Sequence, residues 1–275
     1  MEKKTARSVG YMHGFSSKEQ DRLYSQATFL EPFVYEHIDL RRATNLLEVG
    51  CGVGAQTSVL LRRFPHLRIT GVDASKPQMD QARRFLSHEI RQKRVALHHA
   101  DASKTKFADG TFDGAFICWL LEHVPDPVAI LRETLRTLKS GSIIYATEVH
   151  NASLFMEPYS PATVKYWMEF NDHQWTMRGD PFVGAKLGNL LLKAGFQNIE
   201  TRLIQFHFDS RTPKQRAEFI RYWTDLLLSG APTLLRSKRV TKDLVTQMTN
   251  ELALVAKSPE SVFFYTAVQA RAQAL

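Results

Sequence analysis

"LLEVGCGVGAQT", residues 46–57, runs from an apolar stretch into three alternate glycines and then into a segment with helical patterning. A strand, a glycine-rich turn and a helix in that order bring several backbone N–H groups round one point, because glycine has no Cβ and accepts positive φ. Such a turn can cradle a dinucleotide pyrophosphate, a phosphate, or a nucleoside without phosphate. Residues 50–55 formally satisfy G-x-G-x-x-A, the dinucleotide pattern. The match is short, so the rest of the chain has to choose among the ligands.

Working outward, apolar runs and breakers predict strands at 45–49, 68–72, 95–98, 112–118 and 142–148. Helices are predicted at 55–64, 77–90 and 127–138, with Pro77 in a first turn and the Lys139-Ser140-Gly141 turn ending the third. Repeated strand–helix–strand units imply a parallel sheet with right-handed crossovers and helices on both faces. Upstream, 17–40 reads as a helix capped by Ser16 or Ser17 and kinked or broken at Pro32. Downstream, a helix at 185–194 is stopped by Gly195, and strands at 196–208 and 261–270 bracket a long helical segment. In that segment Phe219, Tyr222, Trp223, Leu226 and Leu227 share one face, which fits core or a homodimer contact. A second excursion, 151–184, is rich in aromatics.

The 275 residues carry 36 Lys and Arg against 28 Asp and Glu, a formal net charge of +8. The basic residues are spread over polar helix faces, and Arg236, Lys238 and Arg239 form the one tight late cluster. With no zinc-ligand spacing, RNA-binding signature, repeat or heptad array, neither a metal nor a nucleic-acid partner is expected. Two cysteines, Cys51 and Cys118, make no disulfide framework. No apolar run approaches the ~20 residues of a membrane span. The basic start lacks the apolar core of a signal peptide, so a cytoplasmic protein is expected.

Asp73 ends the second strand, where an acid would take ribose hydroxyls whichever ligand binds. Three other features discriminate. Glu48, just before the glycines, would repel a pyrophosphate and suits a ligand with a cationic end. Asp101, in "HHADAS" (98–103), can accept from an adenine exocyclic amine while the Ala102 amide donates to the ring. In "FDGAFICWLLEHVPDP" (112–127) a strand ends at Cys118 and a short loop crosses the carboxyl edge of the sheet, where open α/β sheets bind ligands.

Together, "LLEVGCGVGAQT", "GVDAS", "ADAS" and "FDGAFICWLLEHV" resemble the consecutive motifs of class I S-adenosylmethionine-dependent methyltransferases, in particular the small-molecule group that includes ubiquinone- and sterol-type enzymes. The resemblance covers roughly 43–148, and "YMHGFSSKEQDRLYSQA" (11–27) more weakly resembles their lid segments. It implies an α/β, doubly wound, Rossmann-like sheet of seven mostly parallel strands with the last antiparallel, decorated by helical cap insertions. On that plan 1–275 is one domain, with a helical lid at 1–42, a cofactor-binding core at 43–150 and caps at 151–184 and 210–258. The implied cofactor is S-adenosyl-L-methionine, with S-adenosyl-L-homocysteine as product. Gly50, Gly52 and Gly54 would lie along its methionine part and Glu48 near its amino acid end. Asp73 would take the ribose, Ala74 and Ser75 would lie beside the adenine, and Gln78 or Met79 would pack near it. Asp101 and Ala102 would read its edge, and the Cys118 carbonyl would meet the ammonium. Cys51, Gln56, Thr57, Trp119 and His123 complete the expected cofactor set.

Methyl transfer from a sulfonium needs a general base only when the acceptor loses a proton as it attacks. Candidate bases are His13, His123, His150 and His173, and Glu148 can orient an acceptor; each also fits a purely structural role. Tyr11, Trp119, Phe155, Tyr166, Trp167, Phe170 and Trp175 are candidates to line an acceptor pocket. Cys118-Trp119-Leu120-Leu121 stands where enzymes that methylate planar nitrogens of nucleic acids carry [DNS]-P-P-[YFW], and two cysteines are too few for arsenic chemistry. The expected acceptor is a small organic molecule attacked through O, N or C. An RNA or protein methyltransferase using the basic surface, and a non-catalytic cofactor-binding protein, are the alternatives.

Overall fold

In the computed structural model, which describes residues 12–14 and 16–275, the first helix is α1 (Ser17–Val34). The Ser16 hydroxyl caps it by accepting from the Glu19 N–H at 3.2 Å. It ends six residues before the expected limit, with Pro32 in its last turn and the Tyr35 N–H closing on the Glu31 carbonyl. Tyr35, Ile38 and Leu40 stay buried in the turns that follow, which is why apolar spacing continues past the helix itself.

Next come β1 (Asn45–Val49), α2 (Ala55–Arg63), β2 (Arg68–Asp73), α3 (Lys76–Phe85), the short α4 (Ser87–Arg91) and β3 (Val95–His99). The single helix expected at 77–90 is thus two, joined at Leu86. β4 (Phe112–Cys118) leads through α5 (Pro127–Thr137) to β5 (Leu138–Val149), which starts four residues early across a register shift opposite β4. The remainder is β6 (Phe155–Glu157), α6 (Pro161–Thr176), α7 (Leu187–Ala194), β7 (Gln197–Phe208), α8 (Pro213–Arg236), α9 (Lys242–Lys257) and β8 (Val262–Gln273). Gly195, at φ +107°, stops α7 as expected.

β1 to β5 run parallel in the order β3-β2-β1-β4-β5, and β8 joins β5 antiparallel. β7 pairs with the other edge of β8, so the sheet is seven strands wide. The three-residue β6 continues the line of β5 along β8 and makes an eighth strand, too short to leave a period in the sequence. Period-two alternation divides the core between the faces. Leu47, Val49, Ala115 and Ile117 pack under α5 and α7. Leu46, Phe116 and Cys118 pack toward α1, α2 and the helices of the two excursions. Those helices hold one another: Glu251 of α9 accepts from the Ala162 and Thr163 amides at 3.0 and 2.7 Å, and the Tyr166 hydroxyl donates to the Leu227 carbonyl at 2.6 Å. No helix among the described residues is long and apolar enough to cross a membrane.

The turn before α7 presses on the end of β5. A Cβ on Gly184 would lie 2.5 Å from the Val149 carbonyl oxygen and 2.7 Å from that of Glu148, both backbone atoms. Gly184→Ala is therefore expected to lower the unfolding free energy by about 2 kcal/mol, as overpacking does; urea titration measures it.

Candidate active site

Strand order reverses between β1 and β4, and a crevice opens beyond the carboxyl ends of the two strands. A cavity of about 660 Å³ fills it. The first glycine loop, the turn after β2 and the turn after β4 form one end. α1 closes one side, and α6, α8, β7 and β8 enclose the other end with aromatic rings.

The glycine loop is pinned to β2. The Gly50 and Cys51 amides donate to the Val72 carbonyl at 2.8 and 3.1 Å, and the Gly52 amide donates to Asp73 Oδ2 at 2.9 Å. Gly50, Gly52 and Gly54 all have positive φ. A Cβ on Gly52 would meet nothing within 4 Å, so bare backbone borders the cavity there. Asp73 also accepts from the Ser75 amide at 2.7 Å. Each of its oxygens keeps a lone pair for a ligand hydroxyl, and burial raises its pKa. Ala74, Ser75, Gln78, Gln56 and Cys118 also line this end. Three buried polar atoms on lining residues, Ser75 Oγ and Trp119 Nε1 at this end and Trp223 Nε1 at the aromatic end, have no hydrogen-bond partner in the described structure. Bare glycine backbone, a ribose-type acid and unsatisfied buried donors fit a polar nucleoside.

Two expected contacts are supports instead. Glu48, 2% exposed, lies on the face of β1 toward α2 and accepts from the Thr57 hydroxyl at 2.6 Å, so both side chains tie strand to helix away from the cavity. Burial pushes Glu48 up to about 8. Glu148 was expected to face an acceptor. It is fully buried and accepts from the Leu120, Leu121 and Glu122 amides at 3.0, 2.7 and 3.3 Å. Burial, reinforced by Glu122, pushes it to about 8 against those donors. It holds the loop after β4, in which Trp119 sits at φ +58°, a strained setting for a bulky residue.

At the aromatic end Trp167 and Phe170 stack with centroids 5.3 Å apart, and Trp223 lies 5.3 Å from Trp167 and 4.6 Å from Tyr265. His13 lines this end, 5.7 Å from the Phe170 ring, with Nδ1 2.5 Å from Ser229 Oγ. Burial first, and then Arg22 and His123, hold its pKa well below the usual imidazole value. His123 lines the cavity too, with Nε2 3.6 Å from Glu122 Oε1.

Other candidates lie elsewhere. Asp101 is exposed and turns its carboxylate to the Ser103 amide and hydroxyl, both at 2.8 Å, while Ala102 packs against the core on the α5 face. Met79 is buried with its sulfur 3.7 Å from that of Cys51, and Gly54 caps α2 against Leu86. His150 and His173 do not line the cavity. Tyr166 is core of the cap. Phe155, 56% exposed, lies on β6, and Trp175, 57% exposed, lies under Lys186. Tyr11 lies outside the described residues.

Conversely, the α8 stripe expected as core or dimer contact supplies Phe219, Tyr222, Trp223 and Leu226 to the cavity. Its i, i+3, i+4, i+7 spacing was visible, but a stripe reads alike whether it covers a core or a chamber. Phe206, Tyr265 and Asn151 come from the late strands and the end of β5, where no local pattern marked them.

The raised Glu48 has a signed consequence. Its folded pKa lies above the unfolded one, so its contribution to stability is whole below about 4.5 and is lost as pH rises toward 8. Glu48→Gln keeps an acceptor for Thr57 and cannot ionise. Thermal melts from pH 5 to 9 are expected to show a smaller decline for the variant than for the parent.

Residues 47–146 match a family model described as a methyltransferase domain. The O-methyltransferase resE of Aspergillus sclerotiorum is 30% identical over 195 residues, which span 70% of this chain and 69% of that protein. The O-methyltransferase cnsE of Penicillium expansum is 31% identical over 199 residues, 70% of this chain; the chain spans 65% of that relative's length. Among solved structures, phosphoethanolamine N-methyltransferase 2 of Haemonchus contortus, in complex with phosphomonomethylethanolamine and S-adenosylhomocysteine, superposes with a TM-score of 0.61 at 15% identity. That likeness covers 98% of this chain and 60% of the other, and it shows the fold. By its motifs, its sheet order and these relatives, the chain belongs to the class I S-adenosylmethionine-dependent methyltransferases.

Proposed function

We propose that the protein moves a methyl group from S-adenosylmethionine to an O, N or C nucleophile of a small organic acceptor with an apolar, planar body. The carrying observation is that one cavity joins a glycine-lined, nucleoside-type end to an aromatic chamber. Its volume, about 660 Å³, falls in the range of small-molecule sites. The helical roof favours a compact acceptor over a polymer.

When bound, S-adenosylmethionine supplies a methyl carbon made electrophilic by its sulfonium. Asp73, Ser75 and Gln78 would hold the nucleoside part, and the bare backbone at Gly50–Gly52 with the turn at Cys118 and Trp119 would hold the methionine part. Trp167, Phe170 and Trp223 would orient the acceptor and exclude water. Alignment of this kind is worth up to about 7–11 kcal/mol in favourable models.

Calorimetry with S-adenosylhomocysteine tests this reading. Asp73→Ala is expected to weaken binding at least tenfold, about 1.4 kcal/mol, whereas Asp101→Ala, at an exposed carboxylate already engaged by Ser103, is expected to stay within about threefold on the same scale. Unchanged affinity in Asp73→Ala would remove the proposed pocket. In thermal shift, S-adenosylhomocysteine is expected to raise Tm and NADH to leave it unmoved; the reverse would favour a dehydrogenase.

A further inference from the structure

We propose that His13 is the catalytic base, that Ser229 fixes its tautomer, and that the acceptor is consequently a hydroxyl compound, a neutral phenol or alcohol on an apolar frame. This rests on the methyltransferase reading above and deepens it by naming the nucleophilic atom.

The tautomer follows from counting protons. Ser229 Oγ lies 2.7 Å from the Leu226 carbonyl oxygen, three residues earlier in α8. A carbonyl only accepts, so the serine's single proton is committed there. The second contact of the same oxygen, 2.5 Å to His13 Nδ1, must then be one in which serine accepts and the ring nitrogen donates. With the proton on Nδ1, a neutral imidazole carries its lone pair on Nε2. The ring is neutral at pH 7, because burial and the nearby charges of Arg22 and His123 oppose protonation. Glu122, Tyr222 and Tyr265 are the other titratable groups lining this part of the cavity, with Asp73, Lys76, Cys51 and Cys118 toward the glycine-lined end.

The position selects the acceptor. His13 belongs to the aromatic wall with Phe170 and Trp167, the chamber assigned to the acceptor, and not to the glycine-lined end. A neutral amine attacks through its own lone pair without prior loss of a proton. A hydroxyl is the nucleophile whose attack gains from a neutral base. In the step, the acceptor O–H bond breaks as its proton forms an N–H bond at Nε2. The pair left on oxygen bonds to the methyl carbon, and the former carbon–sulfur pair stays on sulfur. The imidazolium then returns its proton to water. Ser229 touches no reacting atom and is a positioning residue.

The test is ¹⁵N NMR on the full chain labelled at histidine, with His13→Gln identifying the His13 resonances by difference. Between pH 6 and 8 the parent is expected to show a protonated Nδ1 and an unprotonated Nε2. Ser229→Ala is expected to lose that preference, and Ser229→Thr, which keeps the hydroxyl, to restore it. Added 2-naphthol, the probe for a hydroxyl acceptor, is expected to shift Nε2. A proton on Nε2, a charged ring at pH 7, a tautomer indifferent to Ser229→Ala, or an Nε2 unmoved by naphthol each overturns the assignment. Calorimetry of the parent with S-adenosylhomocysteine separates the two readings: no binding there sinks the methyltransferase reading while the tautomer result stands on its own.

Discussion

A buried carboxylate supports the whole upper part of the site. Glu148, near the end of β5, accepts from three successive amides of the loop leaving β4. Those N–H groups open a single 3-10 turn, Leu121–His123, whose first donors have no partner within the turn, and three unpaired buried donors would cost several kcal/mol. With them satisfied, Trp119 can be held at positive φ and Leu120 can press against Gly50. The chain of support continues upward. The Glu122 carbonyl accepts from the Asp180 amide at 2.8 Å and from Gln174 Nε2 at 3.2 Å, which docks the aromatic excursion on the same loop. One acid thus couples the sheet edge to the roof of the cavity.

Side chains of α1 and of the turn after it are joined to the glycine-lined end of the cavity. The Tyr24 hydroxyl donates to the Val53 carbonyl at 2.5 Å, and the Tyr35 hydroxyl donates to Gln56 Oε1 at 2.7 Å. Gln20 Nε2 lies 3.3 Å from Gln78 Oε1. The partners are Val53 in the glycine loop, Gln56 in the first turn of α2 and Gln78 in the first turn of α3. Three separate polar contacts thus fix α1 and its following turn against this end of the cavity.

Much of the fold was legible because it is written in local periods. The strand limits at 112–118, the turn at 50–54 and the stop at Gly195 follow from alternation and from glycine's freedom at positive φ. The short β6, the break between α3 and α4, and the early start of β5 were not legible. They are set by pairing partners far along the chain. The same division runs through the site. Asp73 and the glycines are recognisable from their place at strand ends. Asp101 shares such a place, yet its carboxylate closes on its own turn, a competition between a local hydrogen bond and a ligand that spacing cannot settle.

The sequence by itself determined the class of sheet, the order of its motifs and the family, since these depend on residue types at short and regular separations. Tertiary structure alone decided which acids face the cavity and which lie beneath it. Glu48 and Glu148 turned inward as supports, because a buried backbone or hydroxyl donor claims the nearest carboxylate. Tertiary structure also decided that a stripe on α8 lines a chamber, and that a serine 216 positions from His13 meets its ring nitrogen. Such assignments depend on which atoms meet across the fold, and a linear order of residues does not carry that information.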